Sequence, residues 1–332
     1  MAGRADCDTS PVTVSSLLSP LLPLTTAVVL DSHTLRHVVF RGAAPPRPAG
    51  RHTRPASASI PVTESTAAAT PLGAPLAEFY ERLFARANLR ADRYRDAVLR
   101  RREVACLRAV GVRDLSAASA LLERDPAAVH RALHAVAIGV TSFFRDPAVF
   151  ASLESPLREL AEARAKGVRV LSVGCSDGRE LYSVAMLLDA LGIRSAALDG
   201  VDCRESAVRA AAAGIYPASQ VEGIPTVFRT AGFVASPSCP DEARVRPELR
   251  ARCRWQVADA FTLPADGDYD VVLCRNLLIY LTPDAAAELW LRLRDMLAPG
   301  GILVVGKAER PSANVALHRI APSLYQKREP AS

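Results

Sequence analysis

Residues 170–188, "VLSVGCSDGRELYSVAMLL", decide how the chain is read. The stretch opens as an apolar strand, breaks at Gly174 and Gly178, and resumes with the spacing of an amphipathic helix. A strand, a glycine-marked turn and a helix in that order usually seat a nucleotide at the helix N-terminus. This turn lacks the Lys-Ser/Thr pair that grips phosphates, and it is not G-x-G-x-x-G. It carries Asp177 and Glu180 instead. The pattern implies an adenosine-like ligand met by glycines and carboxylates, with no phosphate grip.

Working outward, strands and helices alternate beyond about residue 150. "AALDGVD" (196–202) reads as a strand and "ESAVRAAAAG" (205–214) as a helix. "RWQVAD" (254–259), "YDVVLCRN" (269–276) and "GILVVG" (301–306) are further strands, and "PDAAAELWLRLRDML" (283–297) is a helix. Thr282 before Pro283 is a helix start and "APGG" a stop. "VALHRIAPSLYQKRE" (315–329) closes the chain as a pair of short strands. Near-continuous apolar strands suit a parallel sheet covered on both faces, so a doubly wound, Rossmann-like α/β domain is predicted.

Upstream, residues 76–140 carry apolar residues at helical spacing, among them Phe79, Leu83, Phe84, Val98 and Leu99. Asp114 and Asp125 are the expected N-caps, with Pro126 at a first helical position. A small all-α domain of three or four helices is predicted to precede the sheet. Its Arg100-Arg101-Arg102 run reads as a solvated helix face, with docking of an acidic partner the lesser alternative. Residues 1–75 are rich in Ala, Pro, Ser and Thr and read as a disordered tail or a mis-assigned start.

The net charge of +6 does not by itself choose a partner. Aromatics are 5% of the chain and no basic stretch is interleaved with them, which argues against nucleic acid. The 7 cysteines form no CxxC pair and read as reduced intracellular thiols, neither a disulfide framework nor a zinc site. "VSSLLSPLLPLTTAVVL" is interrupted by prolines and preceded by Asp6 and Asp8, so neither a membrane span nor a secretory signal is expected. The chain is read as cytoplasmic.

In an open parallel sheet, ligands bind beyond the carboxyl ends of the strands. There, Gly174 and Gly178 would let backbone approach a ligand, and Glu180 follows at the helix start. Asp202 ends the second strand, where a carboxylate can accept both ribose hydroxyls. Asp259 stands within reach of an adenine amino group, and Arg275 and Asn276 share the same rim. Each alone could be a cap or a dipole partner. Together they fit adenosine whose tail is an amino acid, and S-adenosylmethionine is the expected cofactor. Carboxylates suit its ammonium and sulfonium, while loop amides and an arginine suit its carboxylate.

"TSFFRDPAVF" (141–150), the glycine loop, "GIYP" (214–217), "CRNLLIYL" (274–281) and "LAPGGILVVGKAER" (297–310) occur in the order and spacing of the CheR methyltransferases, and residues 76–328 resemble that family. The resemblance implies a class I methyltransferase sheet over 141–328 that transfers methyl groups to glutamate side chains of chemotaxis receptors. The implied partner is the cytoplasmic domain of methyl-accepting receptors. It makes Thr141 and Arg145 cofactor or substrate contacts, places Asp259 and Ala260 near the adenine, and puts Tyr280 near the methyl group. Phe143 and Phe144 are expected to pack the seam between the domains. Departures from the family pattern are Gly139 for an asparagine, "GRELYS" for "GEEPYS", and "DCRE", which lacks the second acid of "D-I-D".

A glutamate side chain, with a pKa near 4.3, is already an ionised nucleophile at neutral pH, so no general base is required. Arg145 and Tyr280 are therefore the expected catalytic residues, by orienting a carboxylate and the methyl group. Residues 217–253 interrupt the α/β alternation, and the family places a small antiparallel β insertion there; a plain connecting loop fits the pattern as well. Two other readings stay open: a methyltransferase of the same fold with a small-molecule or non-receptor substrate, and a non-catalytic cofactor-binding regulator.

Overall fold

The computed structural model describes residues 71–137, 139, 141–236 and 239–328. The tail assigned to residues 1–75 and its apolar run lie, through residue 70, outside the described residues.

The helical unit comprises α1 (Ala74–Arg86), α2 (Asp96–Val110), α3 (Leu115–Arg124) and α4 (Pro126–Val136). Both predicted caps form. Asp114 accepts from the Ala117 amide and Asp125 from the Ala127 amide, which satisfies donors that a helix start leaves unpaired. Gly111 closes α2 at φ +80°, a conformation that costs a residue with a Cβ atom. Phe79, Tyr80, Leu83 and Phe84 fill the core against Leu99 and Leu122. The buried Tyr80 hydroxyl donates to the Leu99 carbonyl at 2.7 Å.

α5 (Pro147–Ala163) follows, in a stretch where no element is predicted above. The sheet domain then runs β1 (Val168–Val173), α6 (Arg179–Ala190), β2 (Ala196–Asp202) and α7 (Glu205–Ala213). After an insertion it resumes with β6 (Cys253–Val257), β7 (Tyr269–Cys274), α10 (Pro283–Met296), β8 (Leu297–Val305), β9 (Leu317–Ala321) and β10 (Leu324–Lys327). The seven strands lie in the order β6-β2-β1-β7-β8-β10-β9. Every pairing is parallel except the two made by β10, which is antiparallel to both β8 and β9. The chain order reverses at β1, between β2 and β7, which opens a crevice at the carboxyl ends of those strands. Along β1 the side chains alternate: Val168 and Val170 join one core cluster, Leu171 and Val173 the other.

The insertion is structured. β3 (Ile215–Pro217), β5 (Cys239–Val245) and β4 (Phe233–Ser236) form a separate antiparallel sheet, flanked by α8 (Thr226–Gly232) and α9 (Pro247–Ala251). "TVFRTAG" (226–232), inside the stretch expected to be a β insertion or a plain loop, is a helix. Pro225 precedes its first turn, and Thr230 bonds back to the Thr226 carbonyl. Buried Phe228 is turned inward to stack on Phe144 at 4.4 Å between centroids.

That contact corrects the expectation for the Phe143–Phe144 pair. Phe143 packs edge-on against Tyr216 and Phe233 of the small sheet, and Phe144 against Phe150 and Phe228. Both belong to the core shared by the main sheet and the insertion, and not to the core of the helical unit. The insertion supplies the ring partners, Tyr216, Phe228 and Phe233, that bury both of them.

Candidate functional site

One cavity lies over the carboxyl ends of β1, β2 and β7 and is roofed by the helical unit. Each candidate residue from the sequence lines it. Thr141 and Arg145 come from the segment before α5, Gly174 and Glu180 from the glycine loop and the start of α6. Asp202 ends β2, Asp259 and Ala260 follow β6, and Arg275, Asn276 and Tyr280 follow β7.

Of the two loop glycines, only Gly174 faces this cavity, at φ +71°. Gly178, also expected to admit a ligand, serves packing. At φ +87°, a Cβ there would come within 2.7 Å of the Trp255 ring and 2.8 Å of Ala211. Its lack of a side chain lets α6 start close against β6 and α7.

The acids of the cavity are not free. Asp259 is bridged to Arg93 at 3.1 Å, and Glu180 to Arg275 at 3.1 Å. Arg275 also donates to Asp146 at 2.9 Å and to the Arg145 carbonyl at 2.8 Å. Asp202 is held by Arg204 at 2.9 Å. Charges this far from water persist only when paired; the Arg93–Asp259 and Arg275–Glu180 pairs join different elements around the rim, and the Asp202–Arg204 pair closes one turn. Arg275, expected at the rim, is therefore a strut between the glycine loop and the Arg145–Asp146 turn. Burial would raise the Asp146 carboxyl, but the bond from Lys307 at 2.6 Å and the charge of Arg275 outweigh it and hold it below its usual range.

The loop after β7 owes its shape to Glu309, a buried residue with no role in the sequence reading. Its carboxylate accepts from the amides of Asn276 at 2.7 Å, Leu278 at 2.9 Å and Gly306 at 2.8 Å. Asn276 is held at φ +61°, and its side-chain oxygen is buried with no partner among the described residues. The cradle fits S-adenosylmethionine in its chemistry: an open glycine turn and three carboxylates, with no phosphate grip.

The sequence reading misses the roof. Tyr94 and Val98 line the cavity from the helical unit, as does Val136 from α4. They are placed there by a backbone strap. Tyr94 pairs with Leu281, the Arg95 amide donates to the Tyr280 carbonyl at 3.0 Å, and the Thr282 amide donates to the Arg93 carbonyl at 2.8 Å. Arg93 also lies 3.8 Å over the Phe261 ring. Arg179, which replaces an acid of the family pattern, donates to the Thr141 carbonyl at 2.9 Å and to Gln220 at 2.6 Å, tying the cavity edge to the insertion. Cys175 and Cys203 line the cavity as neutral thiols, since burial pushes Cys203 up to about 12 and Cys175 well above its ordinary value.

Comparison with known proteins gives this geometry a family. Residues 139–323 match the model described as "CheR methyltransferase, SAM binding domain". A chemotaxis protein methyltransferase of Klebsiella aerogenes is 31% identical over 238 residues, spanning 68% of this chain and 80% of the relative. One from Listeria monocytogenes is 29% identical over 192 residues, or 57% of this chain and 72% of the relative. A Pseudomonas putida protein named "Probable biofilm formation methyltransferase WspC" is 35% identical over 210 residues, 60% of this chain and 48% of the relative. With a matched segment that covers the cavity from Gly139 to beyond the last candidate residue, the chain belongs to the CheR methyltransferase family, and its cofactor is S-adenosylmethionine.

Proposed function

We propose that the chain methylates glutamate side-chain carboxylates in the cytoplasmic domains of chemotaxis-type receptors. The observation that carries the proposal is the convergence of the Arg145 segment, the glycine loop and the Tyr280 turn on one cavity. Support for the substrate class comes from the relatives, two of which are named chemotaxis protein methyltransferases.

In this reading residues 76–140 form the roof, residues 141–328 form the methyltransferase domain, and the insertion at about 217–253, together with β3 just before it, is placed to meet a partner. Asp202 takes the ribose, Asp259 and Ala260 the adenine end, and Thr141, Gly174, Glu180 and Asn276 the methionyl end. When bound, S-adenosylmethionine supplies an electrophilic methyl group. Arg145 orients the incoming carboxylate. Tyr280 narrows the space at the reacting end. An ionised glutamate needs no proton removed, so no base is assigned. The protein contributes alignment, which is worth roughly 7–11 kcal/mol when two reactants are held in line.

The test is transfer of radiolabelled methyl groups from S-adenosylmethionine to purified receptor cytoplasmic fragments. Label released by mild base supports a glutamyl ester. Label on a small molecule, or binding without transfer, would refute this reading in favour of its alternatives.

A further inference from the structure

Asp202 is the residue assigned above to the ribose, and its carboxylate is already fully engaged. One oxygen accepts from the Arg204 amide at 3.0 Å and from Arg204 Nε at 2.9 Å. The other accepts from the Ser176 amide at 2.9 Å and from Arg204 Nη2 at 3.1 Å. A carboxylate offers about four lone-pair sites, so none is left over for hydroxyl donors. Two of the four donors are backbone amides, fixed by the turns at residues 176 and 204. The other two belong to a single side chain that lines the cavity and can move.

The guanidinium has a purpose-made seat. Its remaining arm donates to the Ala137 carbonyl at 3.3 Å, in the segment that leaves the helical unit. A Cβ on Gly139 would lie 2.3 Å from Arg204 Nη1 and 3.1 Å from its Cζ. A side chain at 139 would force the guanidinium to shift from the fork. These two positions are among the departures from the family pattern noted in the sequence, and here they touch each other. The pair is buried, with Arg204 and Asp202 at 6% and 5% exposure, so the fork acts in a medium where charge-assisted bonds are strong.

We propose that Arg204 is a built-in competitor for the ribose anchor and thereby sets the cofactor affinity of this enzyme. Ribose hydroxyls reach Asp202 only by displacing the Nε/Nη2 fork. Each binding event therefore exchanges one set of charge-assisted hydrogen bonds for another, and the net gain from the anchor is small. Gly139 is the permissive half of the device. The inference rests on the assignment of Asp202 to the ribose.

Titration calorimetry of the full chain with S-adenosylmethionine and with S-adenosylhomocysteine tests it. Removing the competitor by Arg204→Ala is expected to tighten both ligands about tenfold, equivalent to about 1.4 kcal/mol. Gly139→Ala, which keeps every polar group and only crowds the guanidinium, is expected to tighten both severalfold. The double variant should bind no better than Arg204→Ala, because both changes act through one contact. Structural damage weakens binding and does not tighten it, so the sign of the change identifies the mechanism. If Arg204→Ala fails to fold, Gly139→Ala and Arg204→Lys carry the test, the lysine keeping the charge without the fork. Unchanged or weaker affinity in the folded variants overturns the proposal. A gain confined to the sulfonium-bearing cofactor also overturns it, since that would be charge repulsion and not competition for the ribose common to both ligands. Asp202→Asn separates the two layers: if it leaves affinity untouched, the ribose assignment itself is wrong.

Discussion

Glu309 gives the sharpest quantitative test of how the site is built. Its two oxygens accept from three backbone amides, on Asn276, Leu278 and Gly306, which belong to the loops after β7 and β8. A buried amide stripped of its acceptor costs about 1–3 kcal/mol. Glu309→Ala strips all three and should destabilise the chain by about 3 kcal/mol or more, a large part of the roughly 5–15 kcal/mol that holds a domain together. Glu309→Gln is gentler. Its carbonyl oxygen can replace the oxygen shared by Asn276 and Gly306, while its NH2 group opposes the Leu278 amide. One acceptor is lost, for about 1–3 kcal/mol. Urea unfolding followed by fluorescence measures both losses, and cofactor calorimetry on the folded variants measures the site. Asn276 and Tyr280 hang from the same turn, so Glu309→Gln should weaken cofactor binding even where the protein is fully folded. A loss under about 1 kcal/mol for Glu309→Ala, or identical losses for Ala and Gln, would refute the idea that this carboxylate shapes the loop.

Further predictions follow from other contacts. Arg145→Ala should lose most methyl transfer while circular dichroism shows a native fold; near-native turnover would remove Arg145 from the mechanism. Gly178→Ala should destabilise by about 2–5 kcal/mol, the sum of a left-handed backbone penalty and overpacking against Trp255 and Ala211, read from its thermal unfolding. The Asp146 carboxyl is depressed below its ordinary 3.8. Its contribution to stability is therefore present above about pH 4 and lost as pH falls through the lowered value. Asp146→Asn should flatten that part of the stability–pH curve and leave the variant less stable than the parent at pH 7.

The sheet was legible because its strands are long apolar runs separated by glycine and proline punctuation, and the helical caps because Asp114, Asp125 and Thr282 stand where orphan amides need acceptors. The floor of the site was legible for a topological reason: functional residues of such sheets cluster at strand ends, and Gly174, Asp202, Asp259 and Arg275 each stand at one. The rest depended on contacts far apart in the chain. Nothing in "ADRYRD" says that Arg93 will reach Asp259, or that Tyr94 will pair with Leu281. Nor does a lone acid in "GKAER" say that it will collect three amides. The acids read together as ligand groups, because their arginine partners become visible only once the strands lie side by side. α8 escaped for a different reason. Its seven residues mix β-branched and small side chains, and tertiary contact between Phe228 and Phe144 overrides a weak local preference.

The strap between residues 93–95 and 280–282 sets the minimum size of a working enzyme. The family match begins at Gly139, yet a fragment cut there would lose Tyr94, Val98 and Val136 from the cavity wall and leave the Tyr280 turn with bare backbone donors and acceptors. Such a fragment would hold the nucleoside in an open trough flooded by solvent. Grafting the helical bundle from one relative onto the sheet of another would meet the same obstacle, unless the 93–95 tripeptide travelled together with its 280–282 counterpart.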